Sequence, residues 1–244
     1  MNGIATLAID TLDHLSHSQI QTFTSCPRKW HYDKVEKAPR ERVGSALLFG
    51  IAVHDALAAV NEAALHGEII DAKLAFLKAW KAAFTEEVPI HYGKDTVDEL
   101  LAKGQELVSI YKPPSGIVGV EQPFSVELDD LPRIEGRIDI IRKENDDLIL
   151  VDLKTSGTRF LADTNAIEAQ MAIYDLAYPA ARHEAIVLGK LKTPTITVQN
   201  IVPWTISKLY RNISEVHHAM KSGVRYAVRG WQCESCPFSE RCNK

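Results

Sequence analysis

Arg133-Ile134-Glu135-Gly136-Arg137-Ile138-Asp139-Ile140-Ile141-Arg142 and Leu148-Ile149-Leu150-Val151-Asp152-Leu153-Lys154-Thr155 decide how this chain folds. In the first stretch, alternation sets Ile134, Ile138 and Ile140 on one face and Glu135, Arg137 and Asp139 on the other, the period of a strand. In the second, the apolar run Leu148–Val151 reads as a buried strand. Asp152 and Lys154 share one of its faces because they stand two apart. Glu144-Asn145-Asp146-Asp147 is the turn between them. A hairpin folded symmetrically about Asn145-Asp146 sets Asp139 directly opposite Asp152. Two carboxylates roughly 5 Å apart at Cβ repel, so something cationic belongs between them. A divalent ion suited to oxygen ligands, Mg2+ or Mn2+, is the economical answer. The competing arrangement is diagonal ion pairing with Arg137 and Lys154, which the same register also sets opposite each other. Burial of Asp152 behind its apolar run favours the metal, because a desolvated charge needs a strong partner. Gly136 leaves room for close approach by backbone or ligand.

Working outward, Ser18 to about Val35 reads as a helix entered through Ser16 or Ser18 as cap. Helical patterns follow at 45–66, 71–86 and 96–112, the last closed by Lys-Pro-Pro-Ser-Gly. The period then changes to strands at Val118–Leu128, Arg133–Arg142 and Leu148–Thr155. Ala166 to about Tyr178 returns to helix and ends near Pro179. Two β segments at 185–201 turn at Thr193-Pro194, and 205–222 forms a last helix. Helices, a three-strand meander and a helix predict an α/β fold with a mixed central sheet flanked by helices. One domain over 1–244 is expected: a mainly helical part at 16–115, a catalytic sheet core at 116–204, and a C-terminal helix with a cysteine tail at 205–244.

The four cysteines carry the second signal. Cys233, Cys236 and Cys242 form C-x2-C-x5-C near the C-terminus, and Cys26 is the candidate to complete a four-thiolate site. Disulfides suit a secreted chain, but no apolar signal segment opens this one. A structural zinc accepts four such ligands. So does an iron–sulfur cluster, with irregular spacing and prolines beside ligands, as Pro27 and Pro237 are here. Spacing alone does not choose between them.

Composition sets bounds. A chain of 244 residues with 45% hydrophobic content can bury one sizeable core. No apolar run reaches the roughly 18 residues of a membrane span, so no membrane partner is expected. The net charge of −4 argues weakly against a general polyanion binder. No Walker A pattern is present, so any helicase, recombinase or integrase partner would be a separate chain.

Further motifs complete a pattern: Cys26-Pro27-Arg28-Lys29-Trp30 after Ser18-x-x-x-x-Phe23, Gly50-x-x-x-His54, Gly136-Arg137-Ile138-Asp139, Asp152-Leu153-Lys154-Thr155, Gln170-x-x-x-Tyr174 and the closing cysteine cluster. In this order they resemble the RecB-like branch of the PD-(D/E)xK nuclease superfamily, nearest its iron–sulfur members such as CRISPR-adaptation nucleases and the AddB nuclease domain. The resemblance covers nearly the whole chain and implies a restriction-endonuclease-like fold. It implies that His54, Asp139, Asp152 and the Leu153 carbonyl ligate Mg2+ or Mn2+, with Lys154, Gln170 and Tyr174 completing the catalytic set. It implies a 4Fe-4S cluster, with zinc as the alternative, on Cys26, Cys233, Cys236 and Cys242. The expected function is a metal-dependent DNA exonuclease acting on single-stranded or free ends, in the cytoplasm of a bacterial, archaeal or phage-infected cell. The alternative is a nuclease-like DNA-binding assembly module of a recombination or integration complex. Arg28, Lys29 and Arg225 are the expected DNA contacts, with Trp30, Tyr32, Tyr226 and Trp231 as candidates for base stacking. Glu168 is a candidate to assist a second metal.

Overall fold

The computed structural model describes residues 13–85 and 88–243. The expected helix end at residue 86 and the reading of the first twelve residues lie outside them. Strand β1 (His14–Leu15) leads into α1 (His17–Ser25), and α2 (Pro27–Trp30) continues as a π turn through Val35. A two-residue strand β2 (Val43–Gly44) precedes α3 (Ser45–Leu65) and α4 (Ala72–Ala83); β3 (Ile90–His91) precedes α5 (Val97–Ser109). The meander is β4 (Ile117–Leu128), β5 (Leu131–Glu144) and β6 (Asp147–Ser156). Then come α6 (Asn165–Ala177), β7 (Arg182–Gly189), β8 (Thr195–Asn200), α7 (Ile206–Lys221), a 3-10 turn at Trp231–Cys233 and α8 (Ser239–Asn243).

Local chemistry explains most of these boundaries. Ser16 caps α1 by accepting from the Gln19 amide at 3.3 Å. Thr96 and Glu99 form a reciprocal capping box on α5. Asp71 caps α4 and Thr205 caps α7. The single helix expected over Ser18–Val35 is instead broken at Cys26, which is extended at φ −163° and ψ 99°. Pro27 is the cause, because a residue preceding proline is driven out of the helical region.

The sheet has six strands. Its main path runs β1-β5-β6-β7-β8, and β4 pairs with β5. The β6–β7 and β1–β5 pairs are parallel and the others antiparallel, so the sheet is mixed. On one face α3, α4 and α5 bury Phe49, Val53, Leu57 and Leu107 against Ile140, Ile149, Val151 and Leu153. On the other, α6 packs Ile167, Met171 and Tyr174 over Ile138, Leu150 and Val187. Helices α1 and α7 extend that face over Ile134. By length and composition α3 could cross a membrane, contrary to the expectation that no segment reaches that threshold. Here it is a core helix, packed on the sheet along one side.

β5 departs from simple alternation at one residue. Ile140 packs with the α3 layer and Ile138 with the α6 layer, so the two do not share the expected face. The ladder to β4 skips the position between Val120–Ile140 and Gln122–Ile138, where Glu121 takes φ 46° opposite Asp139. Such an irregularity re-aims a side chain within a sheet. The opposite edge of β5 is also interrupted. It pairs with β6 from Glu144 back to Ile140 and with β1 at Arg133 and Ile134, but carries no ladder pair between. The sheet is forked there, and Asp139 lies in the fork.

Candidate active site

The hairpin register is the expected one as far as it runs, pairing Glu144 with Asp147 and Ile140 with Val151. One residue further on, the strands separate. The Asp139 carboxylate crosses the gap and accepts the Leu153 amide at 2.7 Å, taking the place of a ladder hydrogen bond. Arg137 does not meet Lys154. It faces Pro123 on the β4 side and reaches Glu121 at 3.4 Å, so the diagonal ion-pair arrangement is not formed.

Asp152 is 1% exposed and stands at the centre of a closed ring of polar side chains. The Lys154 ammonium lies 2.7 Å from Asp152 Oδ2 and donates to Gln170 Oε1 at 2.9 Å. Gln170 Nε2 donates to the Tyr174 hydroxyl at 2.6 Å, and that hydroxyl donates to Asp152 Oδ1 at 3.4 Å. Gln170 and Tyr174 reach one point because they are a turn apart on α6. Tyr174 is fixed edge-on by Phe124, with ring centroids 5.8 Å apart. Gly136 serves this packing: a Cβ there would sit 2.7 Å from Phe124 Cζ. The space expected for a backbone or ligand is filled by an aromatic ring.

From the opposite layer α3 brings His54, whose Nδ1 lies 3.8 Å from Asp139 Oδ2. Burial holds the imidazole below its ordinary pKa, and the Lys154 charge adds to this while Asp152 and Asp55 oppose it. Burial, reinforced by the charge of Asp152, pushes the Asp139 carboxyl well above the ordinary carboxylate range. Burial likewise raises the Tyr174 hydroxyl. Two acids and an uncharged imidazole converge with a single ammonium between them, which is a donor set chemically suited to a hard divalent cation. Asp152 Oδ2 has no aligned hydrogen-bond donor despite the nearby lysine, leaving a buried acceptor for such an ion. Among the described residues no three His, Cys, Asp or Glu side chains close on one point, so ligation requires these side chains to move.

The sequence pattern of the PD-(D/E)XK nuclease superfamily matches residues 14–243. The chain belongs to that superfamily. As a PD-(D/E)XK nuclease it acts on nucleic acid, and the forked sheet with its acid pair and lysine is the candidate site for that chemistry. A crystal structure of a Eubacterium rectale protein, provisionally named an exonuclease, is similar in fold. Its TM-score is 0.56 at 15% identity, with 99% of this chain and 92% of that one covered. The crystal structure of SSO0001 aligns with TM-score 0.42 at 16% identity over 92% of each chain. No curated protein matches the sequence.

At the other end of the nuclease, Cys26, Cys233, Cys236 and Cys242 all line one small cavity of about 30 Å3, beside Tyr32 and Phe238. The break at Pro27 is what places Cys26 there. The segment around α2 and the C-terminal tail are tied together around it. The Arg28 amide donates to the Tyr226 carbonyl at 3.1 Å, and both the Glu240 and Arg241 amides donate to the Glu41 carboxylate at 2.8 Å. Arg28 Nε donates to the Arg225 carbonyl at 3.2 Å, so part of that expected DNA contact is used in this junction. Trp30 is buried in the core, which corrects its reading as a stacking residue. The Glu168 carboxylate accepts from Thr164 Oγ1 at 2.6 Å in the first turn of α6.

Two site residues escaped the sequence reading. His17, at the start of α1, is held down to about pKa 4 by burial and by the charge of Lys154, with Asp152 opposing. Glu121 faces Asp139 across the irregularity and is raised by burial. A histidine at the first position of a short helix and a glutamate in an ordinary strand offer no sequence signal; only the fork brings them near the ring.

Proposed function

We propose that this nuclease is a Mg2+- or Mn2+-dependent DNA exonuclease that works on single-stranded ends. The observation that carries the reading is the unmatched acid pair Asp139–Asp152, with Lys154 held beside it by Gln170. Asp139, Asp152, His54 and the Leu153 carbonyl would hold the ion. Bound there, it supplies a water of lowered pKa and neutralises charge on the phosphate.

The chain's own residues do the rest. Gln170 fixes the Lys154 ammonium so that it meets the growing negative charge on a non-bridging phosphate oxygen without reorganising. Tyr174, hydrogen bonded to Asp152 Oδ1, keeps that carboxylate in one rotamer. Burial of both acids keeps bulk water from screening these charges. The oxygen of water bonds to phosphorus as the bond to O3′ breaks and O3′ takes a proton, leaving a 5′-phosphate and a 3′-hydroxyl.

The same reading gives the four cysteines a 4Fe-4S cluster, with zinc as the alternative, that ties α2 to the C-terminal tail. Its support is that all four cysteines line one small cavity beside Tyr32 and Phe238; ligation would require their thiols to draw closer together. Such ligation adds to folding free energy, on the order of 10 kcal/mol in zinc-finger peptides.

The test is cleavage of an end-labelled single strand with Mn2+ by anaerobically purified protein, with iron, sulfide and zinc content measured on the same sample. Asp152→Ala should lose at least about a thousandfold in rate, the upper range for removing one catalytic group. Absence of metal-dependent cleavage by the wild type would instead support a binding module. Colourless, zinc-loaded protein would replace the cluster but leave the enzyme intact.

A further inference from the structure

Resting on the reading of the chain as a nuclease, we propose that the substrate strand reaches the catalytic fork through a groove between the start of α3 and the cysteine tail. This groove would bind single-stranded DNA with its bases against Trp231 and Leu47 and its phosphates against Lys29 and Lys94, the strand then passing Ile51 on α3.

The groove is half-open, about 670 Å3 in volume, and is walled by α1, the π turn, the first turn of α3, the segment after β3 and the tail around Trp231. That volume lies within the range of ligand sites. Trp231 is 85% exposed, although it stands two residues before Cys233, where the cysteine junction holds the backbone. Leu47 and Ile51 on α3 are 54% and 40% exposed. A large indole and two aliphatic side chains left in solvent beside a catalytic site are suited to sequence-tolerant contact with unpaired bases. A duplex would present phosphates and keep its base faces stacked inside.

The direction of the groove follows from helix geometry. Leu47, Ile51 and His54 stand at i, i+4 and i+7, and therefore on one face of α3. Leu47 lines the groove, and seven residues at 1.5 Å each set His54 about 10 Å further along. A strand lying on this face passes from the groove to the acid pair within a few nucleotides.

Charge and polarity agree. Of the acids in the lining, Asp33 is shared by Lys34 at 3.1 Å and Arg40 at 3.0 Å, and Asp95 lies 4.0 Å from Lys103. Lys29 and Lys94 have no ion pair or hydrogen bond among the described residues and stay available to phosphates. Among the described residues, Glu234 is the one acid of the lining that forms no ion pair. Gln19 also lines the groove; it is 8% exposed, and its Oε1 has no hydrogen-bond partner. A buried amide left unsatisfied in the wall of a groove fits a polar ligand there.

Binding in EDTA separates this proposal from catalysis. Fluorescence anisotropy of a labelled single-stranded 15-mer is measured for the wild type, Trp231→Ala, Lys29→Glu/Lys94→Glu, Glu234→Gln and the off-groove control Lys81→Glu. Trp231→Ala should weaken binding at least about fivefold, the low end for one stacked base. The double variant should lose more, and its plot of log affinity against log salt should flatten by about 1.4, or 0.7 per phosphate contact. Glu234→Gln should tighten binding, and Lys81→Glu should change it less than twofold. Groove variants that bind like wild type, or that lose no more than Lys81→Glu does, overturn the route. Equal losses on a blunt duplex overturn its single-strand character. Circular dichroism of each variant ensures that a loss is read only from folded protein. The nuclease reading stands or falls separately, on wild-type cleavage with Mn2+ and its loss in Asp152→Ala.

Discussion

Two groups of buried charges are built on the same three strands and are treated in opposite ways. Arg142 on β5 and Glu184 on β7 form a forked pair, with guanidinium nitrogens 2.8, 3.0 and 3.3 Å from the carboxylate oxygens. Every charge there has its partner. At the fork, Asp139 and Asp152 face one another with one lysine between them, and Asp139 is pushed toward its protonated form. The first group is matched within the sheet; the second is left short of a cation. That contrast supports the proposed site without reference to any motif, because uncompensated buried charge is characteristic of functional sites.

Removing one member from each group breaks this comparison most sharply. Arg142→Met strands Glu184 and should cost about 3–5 kcal/mol, a large part of a typical domain's stability. Arg142→Met combined with Glu184→Leu should recover most of that, because a buried ion pair and a well-packed apolar pair are often of similar stability. Urea denaturation of the three proteins measures both effects. Loss in the double variant equal to that in the single one would mean the pair does more than neutralise itself. Asp152→Ala, by contrast, relieves a repulsion and should keep or raise the melting temperature while abolishing cleavage.

The next effect is on packing that serves the ring. Gly136→Ala places a methyl 2.7 Å from the Phe124 ring and must displace it, at a cost of about 1–3 kcal/mol. Phe124 in turn braces Tyr174, so the Tyr174–Asp152 contact should loosen and the cleavage rate fall by more than the stability loss explains. Pairing Gly136→Ala with Phe124→Leu should restore stability without restoring rate. If both recover together, the ring orientation of Phe124 has no part in holding Asp152.

Most of the frame was legible because it is local. Strand periodicity, the Asn145-Asp146 turn and the caps each depend on a few neighbouring residues, so β5, β6 and α6 came out within two residues of the expected bounds, and α5 ends three residues early. The hairpin register was legible for the same reason, and with it the approach of Asp139 to Asp152. What escaped depended on contacts between distant segments. The change of face between Ile138 and Ile140 falls where Glu121, on another strand, interrupts the ladder, and β1 pairs with β5 where β6 has left its edge free. At long range, Cys26 lines the same cavity as the three C-terminal cysteines, and the proline-enforced break beside it was not foreseen. The role of Gly136 was misread because a glycine in a strand signals close approach without saying by what.

The smallest effect probes the unmatched acid directly, through pH. Asp139 is raised in the folded protein, so between the ordinary carboxylate pKa near 4 and its raised value the native state keeps a proton that the unfolded chain has released. Stability therefore falls as pH rises through that window, and below it nothing is lost because both states are protonated. His17 acts with the opposite sign. Its value of about 4 lies below the ordinary 6.5, so the unfolded chain binds the extra proton and stability falls as pH drops from about 6.5 to about 4. Between about 4 and 6.5 the two effects oppose one another, so the wild type in EDTA should change little there and lose melting temperature only as pH rises further toward the raised value of Asp139. Asp139→Asn keeps an acceptor for the Leu153 amide but cannot ionise; it should flatten the fall at higher pH and uncover the His17 loss as pH drops from about 6.5 to about 4. Mn2+ should also reduce the high-pH fall in the wild type, because a cation in the fork does the work of the proton, and should have no such effect on Asp139→Asn. Parallel profiles for the two proteins would mean that Asp139 is matched in solution, and the contrast with Arg142–Glu184 would disappear.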